Sequence, residues 1–147
     1  MEKFFATCPR GLEPLLAEDL AGVGASDIKA IPGGVHFTAD WPACYAANLH
    51  SRIATRILWR VAQGRYAKED DIYKLACDTP WPKWFAAKQT IRVDVTAIKS
   101  PLKSLEFITL RIKDAVCDRF RADSGKRPSV DTREPDVRVQ GFITADQ

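Results

Sequence analysis

Four cysteines, two histidines and a few carboxylate clusters are the residues of this chain able to do covalent or metal chemistry. Cys8, Cys44, Cys77 and Cys117 stand far apart, without a Cys-x-x-Cys pair, and His36 and His50 are the only histidines. Zinc ligands come in closely spaced pairs, so this spacing argues against a metal site. A cysteine nucleophile needs a histidine base within reach. His36 lies in an alternating, strand-like run and His50 flanks an apolar helical stripe, positions that also suit plain structural side chains. Asp70-Asp71, and Asp131 with Glu134 and Asp136, are interleaved with Lys and Arg, the pattern of a solvated, ion-paired surface. Gly33-Gly34 is too short to cradle a phosphate, and neither G-x-G-x-x-G nor G-K-[ST] occurs. No catalytic constellation is visible.

Basic residues are better placed. Between Lys99 and Arg127 lie Lys99, Lys103, Arg111, Lys113, Arg119, Arg121, Lys126 and Arg127, against only Glu106, Asp114, Asp118 and Asp123. On a loop, the polar side of a helix and the following loop, such residues can contact phosphates. Arg52, Arg56 and Arg60 form a second helically spaced basic stripe. The competing reading is a solvated helix face with i,i+4 pairing. Pattern alone leaves the two open.

The elements that carry these residues follow from periodicity. Lys3–Cys8 reads as a short buried strand. Leu12, Leu15, Leu16 and Leu20 recur at helical spacing, with Pro14 in the first turn where a missing N–H is harmless. Ile28–Ile31 and Val35–Thr38, joined by Pro32-Gly33-Gly34, give a hairpin signal. Asp40 caps a second helix with the apolar stripe Ala46, Leu49, Ile53 and Ile57. That helix is expected to give way, between Ile57 and Tyr66, to a strand-like Leu58–Gly64. The order strand, helix, strand, strand, helix, strand is the ferredoxin-like pattern.

A second set of elements follows. A short helix runs through Ile72, Tyr73, Leu75 and Ala76, and Trp81-Pro82-Lys83-Trp84-Phe85 is an aromatic knot expected where two subdomains meet. Thr90–Ile98 is β-branched and alternating, the strongest strand signal in the chain. Ser104 to about Asp123 is a helix closed by Ser124-Gly125, with Leu105, Ile108, Ile112, Val116 and Phe120 on one face and Phe107 and Leu110 off it. Val137–Ile143 is a last strand. Turn residues Thr144–Gln147 follow it, so it is expected to be half of a hairpin whose partner strand lies beyond this sequence.

The 147 residues carry 22 Lys+Arg against 19 Asp+Glu, a net charge of +3, with 46% hydrophobic and 28% charged residues. This is the composition of a globular chain and excludes collagen-like, coiled-coil and wholly disordered classes. No apolar run approaches the ~20 residues of a membrane span, and no signal peptide is expected. Reduced, mostly buried thiols are expected without an export signal. The small net charge neither demands nor forbids a nucleic-acid partner.

Three stretches, Phe5–Glu13, Gly33–Phe37 and Ser51–Ile57, resemble the amino-terminal part of bacterial 23S rRNA guanine-N2 methyltransferases, which carry a THUMP domain ahead of their methyltransferase domain. Ile112–Val116, Arg127–Asp131 and Pro135–Val139 are similar to the same family, in the same order and at compatible spacing. Relatives of this kind have also been labelled N6-adenine-specific DNA methylases, a label this sequence does not support.

The resemblance implies an α+β chain: a ferredoxin-like subdomain over residues 1–66, then a THUMP domain over 67–147 lacking its last strand. It implies RNA binding, with 23S rRNA and the parent protein's own methyltransferase domain as partners, a cytoplasmic setting and no membrane. It carries over Arg52, Arg56, Lys99, Lys103, Lys113, Arg127 and Arg138 as candidate RNA contacts. S-adenosylmethionine is implied for the parent protein. For these residues themselves it implies no cofactor, metal or catalytic site, since no glycine-rich cofactor turn and no Asn-Pro-Pro motif is present. The alternative is a protein-interaction module that docks a partner through the ferredoxin-like half, with Phe107 and Leu110 marking a hydrophobic contact.

Overall fold

A computed structural model describes all 147 residues. The chain divides into two compact units, Met1–Val61 and Ala62–Gln147. No helix is long and apolar enough to cross a membrane.

The first unit runs β1 (Glu2–Thr7), α1 (Glu13–Gly22), β2 (Ser26–Ile31), β3 (Gly34–Ala39), α2 (Trp41–His50) and β4 (Arg56–Trp59), the expected ferredoxin-like order. Its sheet has strand order β2-β3-β1-β4, with every pair antiparallel. Strand alternation sends Phe4, Ala6 and Cys8 with Val35, Phe37 and Ala39 to one face, where they form a core with Leu16 and Leu20 of α1 and Cys44 and Ala47 of α2. Burying each large apolar side chain contributes about 1.5–3 kcal/mol.

Glu13 ties two turns together, its carboxylate accepting from Gly11 N at 2.8 Å and Gly33 N at 2.9 Å. Those backbone donors, Gly33's foremost, hold its carboxyl below the usual carboxylate range. Gly34 is a site of close approach: a Cβ there would collide with the Ala6 carbonyl and the Phe5 ring.

The second helix departs from expectation. It ends at His50 rather than continuing past Ile53 and Ile57. Its buried residues are Cys44 and Ala47, while Leu49 is 78% exposed. Ser51 Oγ accepts from the backbone N–H groups of Ile53 and Ala54 and donates to Asp19 at 3.2 Å, which turns the chain out of the helix. Thr55 N then donates to Thr7 O at 2.8 Å and starts β4. Arg52, Arg56 and Arg60 are therefore not a helical stripe.

The second unit contains α3 (Glu69–Asp78), a single 3-10 turn (Trp81–Lys83), β5 (Ile91–Ala97), α4 (Leu105–Ser124) and β6 (Val137–Ile143). Ser104 caps α4 by accepting from Phe107 N at 3.1 Å, and Gly125 ends it in the left-handed region at φ 76°. The buried face of α4 is Ile108, Ile112, Ala115, Val116, Cys117 and Phe120, with Leu105 left 41% exposed.

In the aromatic knot, Trp81 is buried and donates through Nε1 to Ala76 O of α3 at 2.7 Å, and the Phe85 ring lies 4.9 Å from that of Phe120 on α4. Strand β6 has one partner within the chain. It pairs in parallel with β5 over seven positions, from Ile91 opposite Val137 to Ala97 opposite Ile143, with α4 as the crossover.

All four thiols are free, and Cys8, Cys44 and Cys117 are buried. Burial pushes each of those three thiols up in pKa, which disfavours a reactive thiolate.

Candidate nucleic-acid interface

The connection from β5 to α4 carries Lys99 and Lys103, both exposed. Lys99 stands at φ 56°, a left-handed conformation that costs a non-glycine residue energy. The surrounding loop is pinned. Tyr66 Oη donates to Thr144 O at 2.5 Å and lies 2.8 Å from Ser100 Oγ, which accepts from Leu102 N at 3.2 Å. Ile98 N donates to Ile143 O at 2.8 Å. Two lysines are thus presented on a fixed loop at the carboxyl ends of both strands, beside the N-terminal end of α4, where partial positive charge favours anions.

The remaining candidates of this unit lie elsewhere. Lys113, halfway along α4, is paired with Asp114 at 2.7 Å. Arg127 is exposed on the loop after α4. Since α4 spans 20 residues, Lys103 and Arg127 flank a rod about 30 Å long. Arg138 is exposed on β6 directly opposite Arg92 of β5. The charge of Arg92 is met by Asp94 at 3.1 Å and Thr132 O at 2.8 Å.

Arg52 and Arg56 belong to the first unit. Arg52 is exposed on the loop after α2, and Arg56 is the exposed first residue of β4, opposite Thr7. Lys99 and Lys103 make one site, Lys113 and Arg127 follow α4, Arg138 is on the sheet, and the remaining pair lies in the other unit.

The dense basic run is thinned by packing. Arg111 pairs with Asp70 at 3.0 Å and sits over the Tyr73 ring at 4.2 Å from its centroid. Its Nε is buried without a hydrogen-bond partner. Arg119 donates to Cys77 O at 3.4 Å. Both arginines are committed to joining α3 and α4. Lys99, Lys103, Arg121, Lys126 and Arg127 remain exposed.

Sequence reading missed a second basic surface, on the sheet of the first unit, where Lys3, Lys29 and Arg60 accompany Arg56. The signal was the period-2 alternation of the strands, which puts Lys3, Phe5 and Thr7 on the opposite face from Phe4 and Ala6. No group of His, Cys, Asp and Glu is arranged to hold a metal ion.

Comparison with known proteins gives this geometry a family. Residues 66–147 match the THUMP domain, and residues 3–58 match the RlmL ferredoxin-like domain. The chain is 38% identical over 143 residues to the ribosomal RNA large subunit methyltransferase K/L of Aeromonas salmonicida (strain A449), covering 97% of this chain and 20% of that protein. It thus spans about one fifth of the length of the curated relatives it matches. Its fold matches that of a predicted N6-adenine-specific DNA methylase from Listeria monocytogenes str. 4b F2365, with TM-score 0.82, 22% identity, and 97% of this chain on 37% of the other. It also matches SMU.472, solved as a complex with SAH, with TM-score 0.80, 20% identity, and 97% of this chain on 38% of that one.

Proposed function

This chain belongs to the THUMP domain family, and from that premise we propose that it is the RNA-binding module of an S-adenosylmethionine-dependent 23S rRNA guanine-N2 methyltransferase. It positions rRNA for a catalytic domain outside these residues, in the cytoplasm. The observation that carries the reading is the pinned β5–α4 loop, which presents Lys99 and Lys103 to solvent beside the end of a helix. The likeness to a large subunit rRNA methyltransferase across nearly the whole chain supports RNA as the substrate class and that reaction for the parent protein.

Binding is through phosphates and shape, because the deep groove of A-form RNA hides its base edges from side chains. Lys99 and Lys103 engage one backbone segment, and Arg127, about 30 Å away along α4, a second. Binding energy gained at two such places fixes the orientation of the RNA. A partner domain can then extract the target base from its stack.

The β5–α4 connection lacks the glycine-rich turn that an S-adenosylmethionine site would need. The strand-to-helix connection from Ile98 to Ser104 contains no glycine, and its left-handed position is occupied by Lys99. No step of methyl transfer is assigned to these residues.

Electrophoretic titration of the chain against a 23S rRNA domain tests the proposal. Charge reversal at Lys99, Lys103 and Arg127 is expected to abolish the shifted band while leaving the fold intact. An unchanged band contradicts it.

A second reading, docking of a protein partner through the ferredoxin-like unit, is favoured by Tyr45 and Leu49 on α2, which are 66% and 78% exposed. Phe107 and Leu110 on α4 add a further exposed pair in the second unit. Charge reversal at Arg52, Arg56 and Lys113 separates the readings, since it weakens RNA binding and spares apolar docking.

A further inference from the structure

The four-stranded sheet of the first unit carries α1 and α2 on one face only. Ile57 and Trp59 of β4 pack against that core, so alternation turns Arg56 and Arg60 to the opposite face. The register sets Lys3 beside Arg60 there, through the Arg60 N–H donated to Lys3 O at 2.9 Å. In the next row Lys29 stands opposite His36, and in the third Arg56 stands opposite Thr7.

Lys3, Lys29 and Arg56 are exposed and Arg60 is partly so. None of them has an acidic partner. The ion pairs of the chain, Arg92 with Asp94, Arg111 with Asp70 and Lys113 with Asp114, all belong to the second unit. Glu2 is on the helix side of the sheet, where its carboxylate accepts from Trp59 Nε1 at 3.1 Å. Asp27 belongs to the irregular stretch of β2 between Ser26 and Lys29. Burial, then the charges of Arg60 and Lys29, lower the His36 pKa, so the field of these cations reaches the middle of the sheet. Like charges gathered without a counter-charge are costly to keep and favour an anionic partner.

We infer that this sheet face binds the phosphate backbone of a double-helical RNA segment, with Lys3, Lys29, Arg56 and Arg60 as the phosphate contacts. The cations spread over about 15 Å across the strands and about 13 Å along β4, from Arg56 to Arg60. A spread of that size matches several phosphates of a strand rather than one free phosphate. A protein-docking face has an apolar centre. The exposed large apolar side chains of this unit are Met1, Leu12, Leu15, Trp41, Tyr45 and Leu49, and none is a residue of the sheet. The rings of this face are only partly exposed. A helix, whose bases already stack on one another, needs no ring from the protein. The inference rests on the RNA-binding reading above and adds to it a second backbone contact in the other unit, through Lys3, Lys29 and Arg60.

The test uses the full 147-residue chain, with fluorescence anisotropy on a labelled RNA duplex of about 16 base pairs at several salt concentrations. One variant combines Lys3→Gln, Lys29→Gln and Arg60→Gln. A charge-matched control combines Arg10→Gln, Lys83→Gln and Lys88→Gln, all at exposed positions. The sheet variant is expected to lose about three phosphates from the slope of log affinity against log salt, at about −0.9 each, while the control keeps the native slope. Lys3→Gln with Lys29→Gln serves if the triple variant fails to fold, which circular dichroism reads, and is expected to lose about two phosphates. Equal losses in the sheet variant and the control, or no loss in the sheet variant, overturn this inference alone. So does displacement of the duplex by polyglutamate as effective as by unlabelled duplex, which marks an acidic protein as the partner. Failure of the native chain to bind either this duplex or a 23S rRNA domain overturns the RNA-binding reading as well.

Discussion

Tyr73 on α3 donates a 2.5 Å hydrogen bond to the Asp118 carboxylate on α4. The same ring lies under the Arg111 guanidinium, which reaches back to Asp70. One tyrosine thus engages Arg111, one of the eight basic residues that make the stretch from Lys99 to Arg127 read as a basic patch. Arg111→Ala is expected to lower the unfolding midpoint, because it removes a cation–π contact and an ion pair, each worth roughly 0.5–1 kcal/mol. It leaves RNA affinity intact. Lys103→Ala does the reverse, and running thermal melts and band-shift titrations on both variants checks the pair.

Alkaline pH tests the tyrosine itself. The hydrogen bond to Asp118 comes first among the causes that push the Tyr73 phenol up from 10.0 to about 12. A pKa raised in the folded state contributes stability that is fully present below the unfolded value and lost as pH rises through the folded one. The stabilising effect is therefore whole below pH 10 and disappears towards about 12. Ultraviolet titration is expected to show a phenolate step near 12 that is missing from Tyr73→Phe.

Gly34 gives a sharper packing test. A methyl group there meets the Ala6 carbonyl and the Phe5 ring, so Gly34→Ala must move a backbone strand or that ring. The expected cost is about 1–3 kcal/mol, the usual range for overpacking. Urea unfolding followed by circular dichroism measures it, and a midpoint equal to that of the parent chain contradicts the packing described.

Trp81 anchors the second unit in a comparable way. Its ring is buried and its Nε1 is satisfied by Ala76 O. Trp81→Ala is expected to cost about 3–5 kcal/mol. Trp81→Phe keeps most of the apolar area and is expected to cost less, while leaving the Ala76 carbonyl without its partner. Differential calorimetry on the two variants ranks them.

Much of this was legible in the sequence because the signals are local. The ferredoxin-like order, the capped helix that begins after Ser104 and the strand from Thr90 all follow from period, caps and turns. The overextended second helix shows where period misleads. Ala46, Leu49, Ile53 and Ile57 keep a helical spacing, yet Ser51 competes for the backbone N–H groups at Ile53 and Ala54 and ends the helix. Strand β6 was visible as a strand, but its parallel partner depends on where a 20-residue helix returns the chain.

The candidate site was legible in part. Exposed lysines on a loop can be read from spacing. The loss of Arg111 and Arg119 to packing cannot, because their partners Asp70, Tyr73 and Cys77 lie far away in sequence. The basic sheet face was hidden for a different reason: its cations come singly, one or two per strand, and gather only when the register is known.

The most direct test of the account is the salt dependence of binding between this chain and a 23S rRNA domain. Each phosphate neutralised should contribute a slope of about −0.7 to −0.9 in log affinity against log salt. The account predicts a steep slope for the native chain, made shallower by about two phosphates when Lys99 and Lys103 are replaced by Ala. A flat slope, or one indifferent to those two lysines, contradicts it.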